Sequence, residues 1–311
     1  MNGRHDSIFR IKQIKASYQS FVISNMAELE QDSLYIKSII ESNRTFFIGR
    51  IAGVELKVAY KVLNNLPLNP ADELAELENN AGIRTSTQES LTNYVHQLIS
   101  SYKSCTVIAE WPQDGKVFSL TGQGQTLVSE MTQTTPKISA LALEPYYFNE
   151  TVSWMTALSN KRILIIHPFA NTLKKQVPHF DKLFPGRTWF KDCEFQVIQP
   201  PLTLAGNHAD HDWEEHYTAF IASPVFRELK DFDIALIAAG GYGMLIADHI
   251  YTTLNRSVIY IGGALQIFFG VIGKRWFNNR DILNLTNDDW IRPAKEDKPT
   301  NFAKVERGCY W

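Results

Sequence analysis

The sequence predicts an α/β protein of Rossmann-like architecture, a largely parallel sheet with helices on both faces. Three observations predict it. Short apolar runs rich in Ile, Val and Phe alternate with segments of helical spacing along most of the chain. Those runs are apolar throughout rather than at every second position, as expected of strands covered on both sides. Several of them end in glycine, and the next segment then starts as a helix.

The elements follow in order. Residues 8–40 place Ile8, Ile11, Ile14, Tyr18, Phe21, Leu29 and Leu34 at roughly helical spacing, broken near Asn25, which predicts one or two amphipathic helices. They form an N-terminal helical segment, 1–44, packed on a main domain, 45–311. Residues 45–51, Thr-Phe-Phe-Ile-Gly-Arg-Ile, read as a buried strand, and 54–63 as a helix punctuated afterwards by Pro67 and Pro70. A helix is predicted over 90–102 and a short strand over 105–109. The run 161–167, Lys-Arg-Ile-Leu-Ile-Ile-His, is the clearest strand; it stops at Pro168, and a helix follows over 171–177. Strands are further predicted over 195–198, 232–238 and 257–261, with helices over 213–229 and from Gly243 to about Leu254.

Composition narrows the function classes. The 311 residues are 44% hydrophobic, enough for a large core. The 31 Lys and Arg against 33 Asp and Glu leave a formal charge of −2, so nothing draws the whole chain to nucleic acid or an acidic membrane. Any anionic ligand must be met locally. Cys105, Cys193 and Cys309 are widely spaced and form no CxxC pattern, which argues against a disulfide framework or zinc site. Residues 1–15 lack the apolar core of a secretory signal, and the longest apolar stretches are too short or too glycine-broken to span a bilayer. The chain reads as cytoplasmic, without an integral membrane segment.

Ligands of parallel sheets collect beyond the carboxyl ends of the strands. That rule selects the loops at Gly49 and Arg50, Glu110 and Trp111, His167 and Pro168, 240–243, and Gly262 and Gly263. Gly240, Gly241, Tyr242 and Gly243 join a strand to a helix. Glycines there let backbone amides reach phosphate oxygens at a helix N-terminus, although the same residues suit a tight turn of positive φ. The loop is neither GxGxxG nor a Walker loop, so neither NAD nor ATP is indicated. Residues 261–276 repeat the strand–glycine–helix device, carry Gln266 and add Lys274, Arg275 and Trp276. The two cations suit a diphosphate and the indole a base or sugar; the plain alternative is a cationic helix end with a core tryptophan. Arg50 and Glu55 bracket the first strand–helix junction, where a carboxylate can accept a hydroxyl proton and a guanidinium can hold phosphate. A first-turn Glu favoured by the helix dipole is the plain alternative.

The segment 49–56, Gly-Arg-Ile-Ala-Gly-Val-Glu-Leu, resembles the Arg-Phe-Gly-Asp-Gly-Glu-Leu type of segment in glycosyltransferases of the GT-D fold. The likeness continues through His167 to Ala170, the 240–243 loop and residues 262–276, and is nearest to GT-D-like proteins associated with bacterial or viral glycan synthesis. It implies transfer of a sugar from a nucleoside-diphosphate sugar to a hydroxyl of a glycan acceptor. In that reading Glu55, Arg50 and His167 are catalytic, and Gly49, Gly240, Gly241, Tyr242, Gly243, Gly262, Gly263, Gln266, Lys274 and Arg275 bind the donor. The family's metal-associated Asp-x-Glu is here Gly53-Val54-Glu55. A lone carboxylate is a poor divalent-ion site and an adequate general base, so the resemblance implies a donor substrate and leaves a divalent metal open.

Two rival readings accompany it. His208, Asp210, His211 and Asp212 cluster before the predicted helix at Trp213, as metallohydrolase ligands or as residues capping that helix. A non-catalytic nucleotide or glycan binder is the other. The aromatic pair Tyr310 and Trp311 is expected to fold back onto the domain; simple packing is the plainer reading for both, and a pocket lined by Glu306 or Tyr310 is the alternative.

Overall fold

The apolar runs form strands, and every pairing between them is parallel. The computed structural model describes residues 26–112, 122–147 and 149–311. Its strands are β1 (Phe47–Arg50), β2 (Val107–Glu110), β3 (Lys137–Ser139), β4 (Arg162–Ile166), β5 (Glu194–Ile198), β6 (Ile234–Ile237) and β7 (Ser257–Tyr260). They make one seven-stranded sheet of order β3-β2-β1-β7-β6-β4-β5. The protein is therefore a Rossmann-like α/β fold.

The principal helices are α1 (Met26–Glu41), α2 (Gly53–Leu63), α3 (Gln88–Lys103), α4 (Gly122–Met131), α5 (Ala170–Gln176), α6 (Trp213–Ala222) and α7 (Gly243–Thr252). Strand order and handedness decide which face each one covers. The steps from β1 to β2 to β3, and from β5 to β6 to β7, all run toward the β3 edge; those from β3 to β4 and from β4 to β5 run the other way. Right-handed crossovers then place the two sets of connections on opposite faces. Leu164 and Ile166 of β4 accordingly pack with Leu56 of α2, Tyr94 of α3, Val128 of α4, Trp213 of α6 and Leu245 of α7. Ile163 and Ile165 point the other way, into a core shared with Leu29 and Ile36 of α1, Trp154 and Leu173 of α5. Residues 1–25 of the expected N-terminal segment lie outside the described residues.

Connections leave the adjacent strands β4 and β6 in opposite directions, so a crevice forms beyond their carboxyl ends, at His167 and Gly240. Several elements differ from expectation. β3 was not predicted, because Lys-Ile-Ser carries one buried apolar side chain and pairs only by extending the ladder of β2. The helix expected over 213–229 breaks at Ser223 and Pro224; Pro224 lacks an amide, and the Ser223 hydroxyl accepts from the Phe226 amide to start a new turn. Two π-helical turns, Pro70–Leu74 and Leu77–Ala81, fill the span after Pro67. Among the described residues no helix is long and apolar enough to cross a membrane.

Candidate functional site

Arg50 ends β1 and Glu55 lies in the first turn of α2, so one short turn carries both. That turn is stapled from three sides. The Tyr102 hydroxyl donates to the Arg50 carbonyl (2.9 Å) and accepts from the Ala52 amide (3.0 Å), while the Trp111 indole donates to the Ile51 carbonyl (3.0 Å). The Arg50 guanidinium lies 5.1 Å from the Trp111 ring centre and 5.9 Å from that of Tyr260, both within cation–π range. Its Nε is buried without a hydrogen-bond partner, and no ion pair among the described residues includes it. A part-buried cation so placed favours an incoming anion. Gly262 is required beside it: its φ is +73°, and a Cβ there would fall 2.2 Å from the guanidinium.

Glu55 is 7% exposed, and burial pushes its carboxyl up to about 6. Its own backbone amide and the Arg50 charge pull the value down, whereas Glu306 and Glu76 push it further up. A carboxyl titrating near 6 is deprotonated at neutral pH and still basic enough to take a proton. The residues around it do not fit a divalent ion. The second ligand position that the resemblance implies is Gly53, the Arg50 charge acts on the carboxylate, and among the described residues no group of three or more His, Cys, Asp or Glu is placed to hold a metal.

The 240–243 loop lies next to this turn, but its glycines serve packing. A Cβ would fall 2.8 Å from the Ala81 carbonyl oxygen at Gly240, 2.3 Å from Ile83 at Gly241 and 2.2 Å from the Tyr260 ring at Gly243. The Tyr260 hydroxyl donates to the Gly240 carbonyl (3.1 Å), the Tyr94 hydroxyl donates to the Gly241 carbonyl (3.0 Å), and Tyr242 is buried. Gly49 likewise sits inside β1 against Cys105 and Met244. At Gly49, Gly241 and Gly243, expected to bind the donor, protein atoms occupy the space a side chain would fill. Tyr260 connects the two features, with its ring beside Arg50 and its hydroxyl on the loop.

The second glycine device forms a 3₁₀ segment, Gly262–Phe269. Gln266, expected to face the donor, is 1% exposed and donates to the carbonyls of Val271 (3.0 Å) and Tyr310 (3.3 Å), bracing the chain instead. Lys274 and Arg275, expected to act together, diverge. Lys274 is exposed, whereas Arg275 donates to Glu306 Oε2 (3.0 Å) and to the Tyr310 hydroxyl (2.8 Å). Trp276 is buried, as the plain alternative for it required. Tyr310 and Trp311 do fold back: Gly263 lies under the Tyr310 ring, and the Trp311 indole donates to the Asp297 carbonyl (3.2 Å).

His167 follows β4 at the crevice. Its Nδ1 accepts the Phe169 amide (2.9 Å), which puts the proton on Nε2; that atom is buried with no partner among the described residues. Burial drives the imidazole down to about 3, so it is neutral at physiological pH. Such a neutral ring is set to donate a hydrogen bond from Nε2.

The 207–212 cluster is dispersed among separate partners. His208 bonds Glu78 (2.9 Å), His211 bonds Glu215 (2.6 Å), Asp210 meets Arg84, and Asp212 accepts from the Ser86 amide (3.0 Å) and hydroxyl (2.9 Å). Asp212 stands at the N-cap of α6 without a capping bond from its side chain.

A cleft of about 210 Å³ opens at the opposite, amino-terminal edge of the sheet, lined by Arg44, Lys161, Asp233 and Arg256 among others. Asp233 is paired with Arg162 and Arg256 with Asp231. We place the candidate site at the carboxyl edge because the unpaired Arg50 and the perturbed Glu55 meet there.

Strand-end reasoning selected Arg50, Glu55 and the loop that carries Trp111, but did not single out Tyr260. Tyr260 closes β7 and Trp111 follows β2, so the same rule reaches both. Nothing local marks Tyr102, which sits mid-sequence in the last turn of α3.

Compared with known proteins, the chain matches no family model, no curated protein and no solved structure. Fold and site together define a parallel α/β protein with an unpaired guanidinium and a buried carboxyl on the turn that leaves the carboxyl end of β1.

Proposed function

We propose that this protein is a glycosyltransferase that moves a sugar from a nucleoside-diphosphate sugar to a hydroxyl of a glycan acceptor. The observation that carries the reading is the turn that sets an unpaired, half-buried Arg50 beside Glu55, a carboxyl titrating near 6. Arg50 holds the diphosphate, helped by Lys274 and by loop amides; Glu55 faces the acceptor. The acceptor oxygen attacks the anomeric carbon as its proton passes to Glu55. The bond from that carbon to the phosphate oxygen breaks, and the nucleoside diphosphate leaves with the electron pair. In a retaining reaction Glu55 positions the acceptor or sugar instead. His167 donates Nε2–H to a ligand oxygen. We place the enzyme in the cytoplasm, in keeping with its three free thiols.

A thermal-shift screen tests the reading, because selective binding to the folded state raises the melting temperature. UDP or GDP, with or without its sugar, is expected to stabilise the protein more than NAD or ATP. Preferential stabilisation by NAD overturns the assignment, and nucleotide binding without transfer to any acceptor reduces the protein to a binder.

A further inference from the structure

We propose that segment 305–311 builds a second subsite beside the Arg50–Glu55 turn, one that takes a neutral, hydroxyl-rich sugar ring through Glu306, Arg275 and Tyr310. The proposal rests on the transferase reading only for what the bound hydroxyl then does.

Four side chains meet there, Cys309 among them through its Sγ, 3.4 Å from Glu306 Oε2. Arg275 Nη1 donates to Glu306 Oε2 (3.0 Å) and to the Tyr310 hydroxyl (2.8 Å), and that hydroxyl donates to Glu306 Oε1 (3.1 Å). Glu306 and Arg275 nevertheless remain 43% and 47% exposed, so a ligand can reach both. Packing alone does not require them, since Val305 and Trp311 already bury the segment's apolar surface.

The backbone is arranged around Glu306. Glu306 (φ 43°) and Arg307 (φ 59°) are successive non-glycine residues in the left-handed region, a conformation that persists only where its surroundings enforce it. Four hydrogen bonds do so: Glu306 N to Asn80 Oδ1 (3.2 Å), Gly308 N to the Val305 carbonyl (2.7 Å), Arg275 N to the Cys309 carbonyl (2.7 Å) and Lys274 N to the Trp311 carbonyl (3.4 Å). Gly263 and Gly273 clear the space for Tyr310; a Cβ at either would fall within 2.4 Å of that residue.

Charge decides the ligand class. Glu306 and Glu144 both act on Arg275, so that guanidinium already faces two carboxylates, and Glu306 also acts on Glu55. A second phosphate is repelled by that set. A sugar ring fits it, because vicinal hydroxyls donate to a carboxylate and accept from a guanidinium. The phosphate then belongs at Arg50, and Glu55 stands between the two ends of the ligand.

The test uses the full chain and a panel of methyl glycosides (glucoside, galactoside, mannoside and N-acetylglucosaminide) observed by saturation-transfer NMR, with UDP and GDP titrated separately. At least one glycoside is expected to bind the unmodified protein. Glu306→Gln should weaken it by about tenfold or more, as expected when a charge-assisted bond is lost, while nucleotide affinity changes by less than about twofold. Tyr310→Phe should weaken glycoside binding less, with the melting temperature unchanged. Absence of glycoside binding to the unmodified protein overturns the subsite, as does a folded Glu306→Gln that binds glycoside normally. Should Glu306→Gln fail to fold, unaltered glycoside binding by Tyr310→Phe overturns it equally. A failed transferase reading looks different: the glycoside still binds through Glu306, but no nucleotide-sugar is turned over.

Discussion

The Tyr102 hydroxyl donates to the Arg50 carbonyl and accepts the Ala52 amide, so one atom from the end of α3 ties together both sides of the turn that carries Arg50 and Glu55. Tyr102→Phe keeps the buried ring and leaves two backbone groups without their partner. Stability should fall by about 1–3 kcal/mol for each group that finds no replacement, measured by urea unfolding. Nucleotide affinity should fall with it, because Arg50 is no longer held in register. A variant as stable as the parent would show that the turn does not depend on this bond.

Arg50→Ala should weaken nucleotide binding by about 1–3 kcal/mol, read by calorimetric titration, since it removes a cation whose buried Nε has no hydrogen-bond partner among the described residues. Arg50→Lys should recover only part of this, because an ammonium lacks the planar fork that lies beside Trp111 and Tyr260. Equal affinity in all three proteins would remove Arg50 from the site.

Glu55→Gln preserves shape and removes charge and basicity. Transfer is expected to drop by roughly a hundredfold or more, the usual contribution of a general base, with donor affinity much less affected and chelator without effect on the parent. The same variant reports on stability. The folded protein holds the Glu55 proton more tightly than the unfolded chain, about 6 against 4.5, so the parent loses about 2 kcal/mol as pH rises through that window. Glu55→Gln should lack this loss. Matching pH–stability curves for the two proteins would contradict the burial argument, and transfer at the parental rate would end the catalytic assignment.

His167 has the opposite sign. Its folded value, about 3, lies below the free imidazole's 6.5, so the unfolded chain binds the proton more readily. Its contribution is complete above about pH 6.5 and is lost at up to about 1.4 kcal/mol per pH unit below it. His167→Asn retains an acceptor for the Phe169 amide and cannot titrate. Unfolding at pH 5 and 7 should show a smaller acid loss in the variant; an identical loss would place the titration elsewhere.

Much of the fold was legible because its signals are local. β1, β4, β6 and β7 are short apolar runs, and the strand-end rule then reached Arg50, Glu55 and His167 without any knowledge of strand order. The 240–243 loop shows where local reading stops. Glycine in sequence reports only that no side chain is tolerated, and both an approaching phosphate and an approaching protein wall give that signal. Ile83 and Tyr260, each distant in the chain from Gly241 and Gly243 or on another element, decide for the wall.

The sequence by itself determined the class of the protein, a parallel α/β sheet covered on both faces, because apolar periodicity and strand ends are properties of neighbouring residues. Only the tertiary structure decided which groups meet. Strand order brings β7 beside β1, and with it the Tyr260 ring to Arg50. The Glu306 backbone is pinned to Asn80 across 226 residues, which sets its carboxylate where it acts on Glu55. Arg275, next to Lys274 in sequence, is engaged by Glu306 and Tyr310. The physical reason is that desolvation and Coulomb interaction depend on distance in space, so the charge state of Glu55 and the pairing of each guanidinium arise only once remote segments pack together.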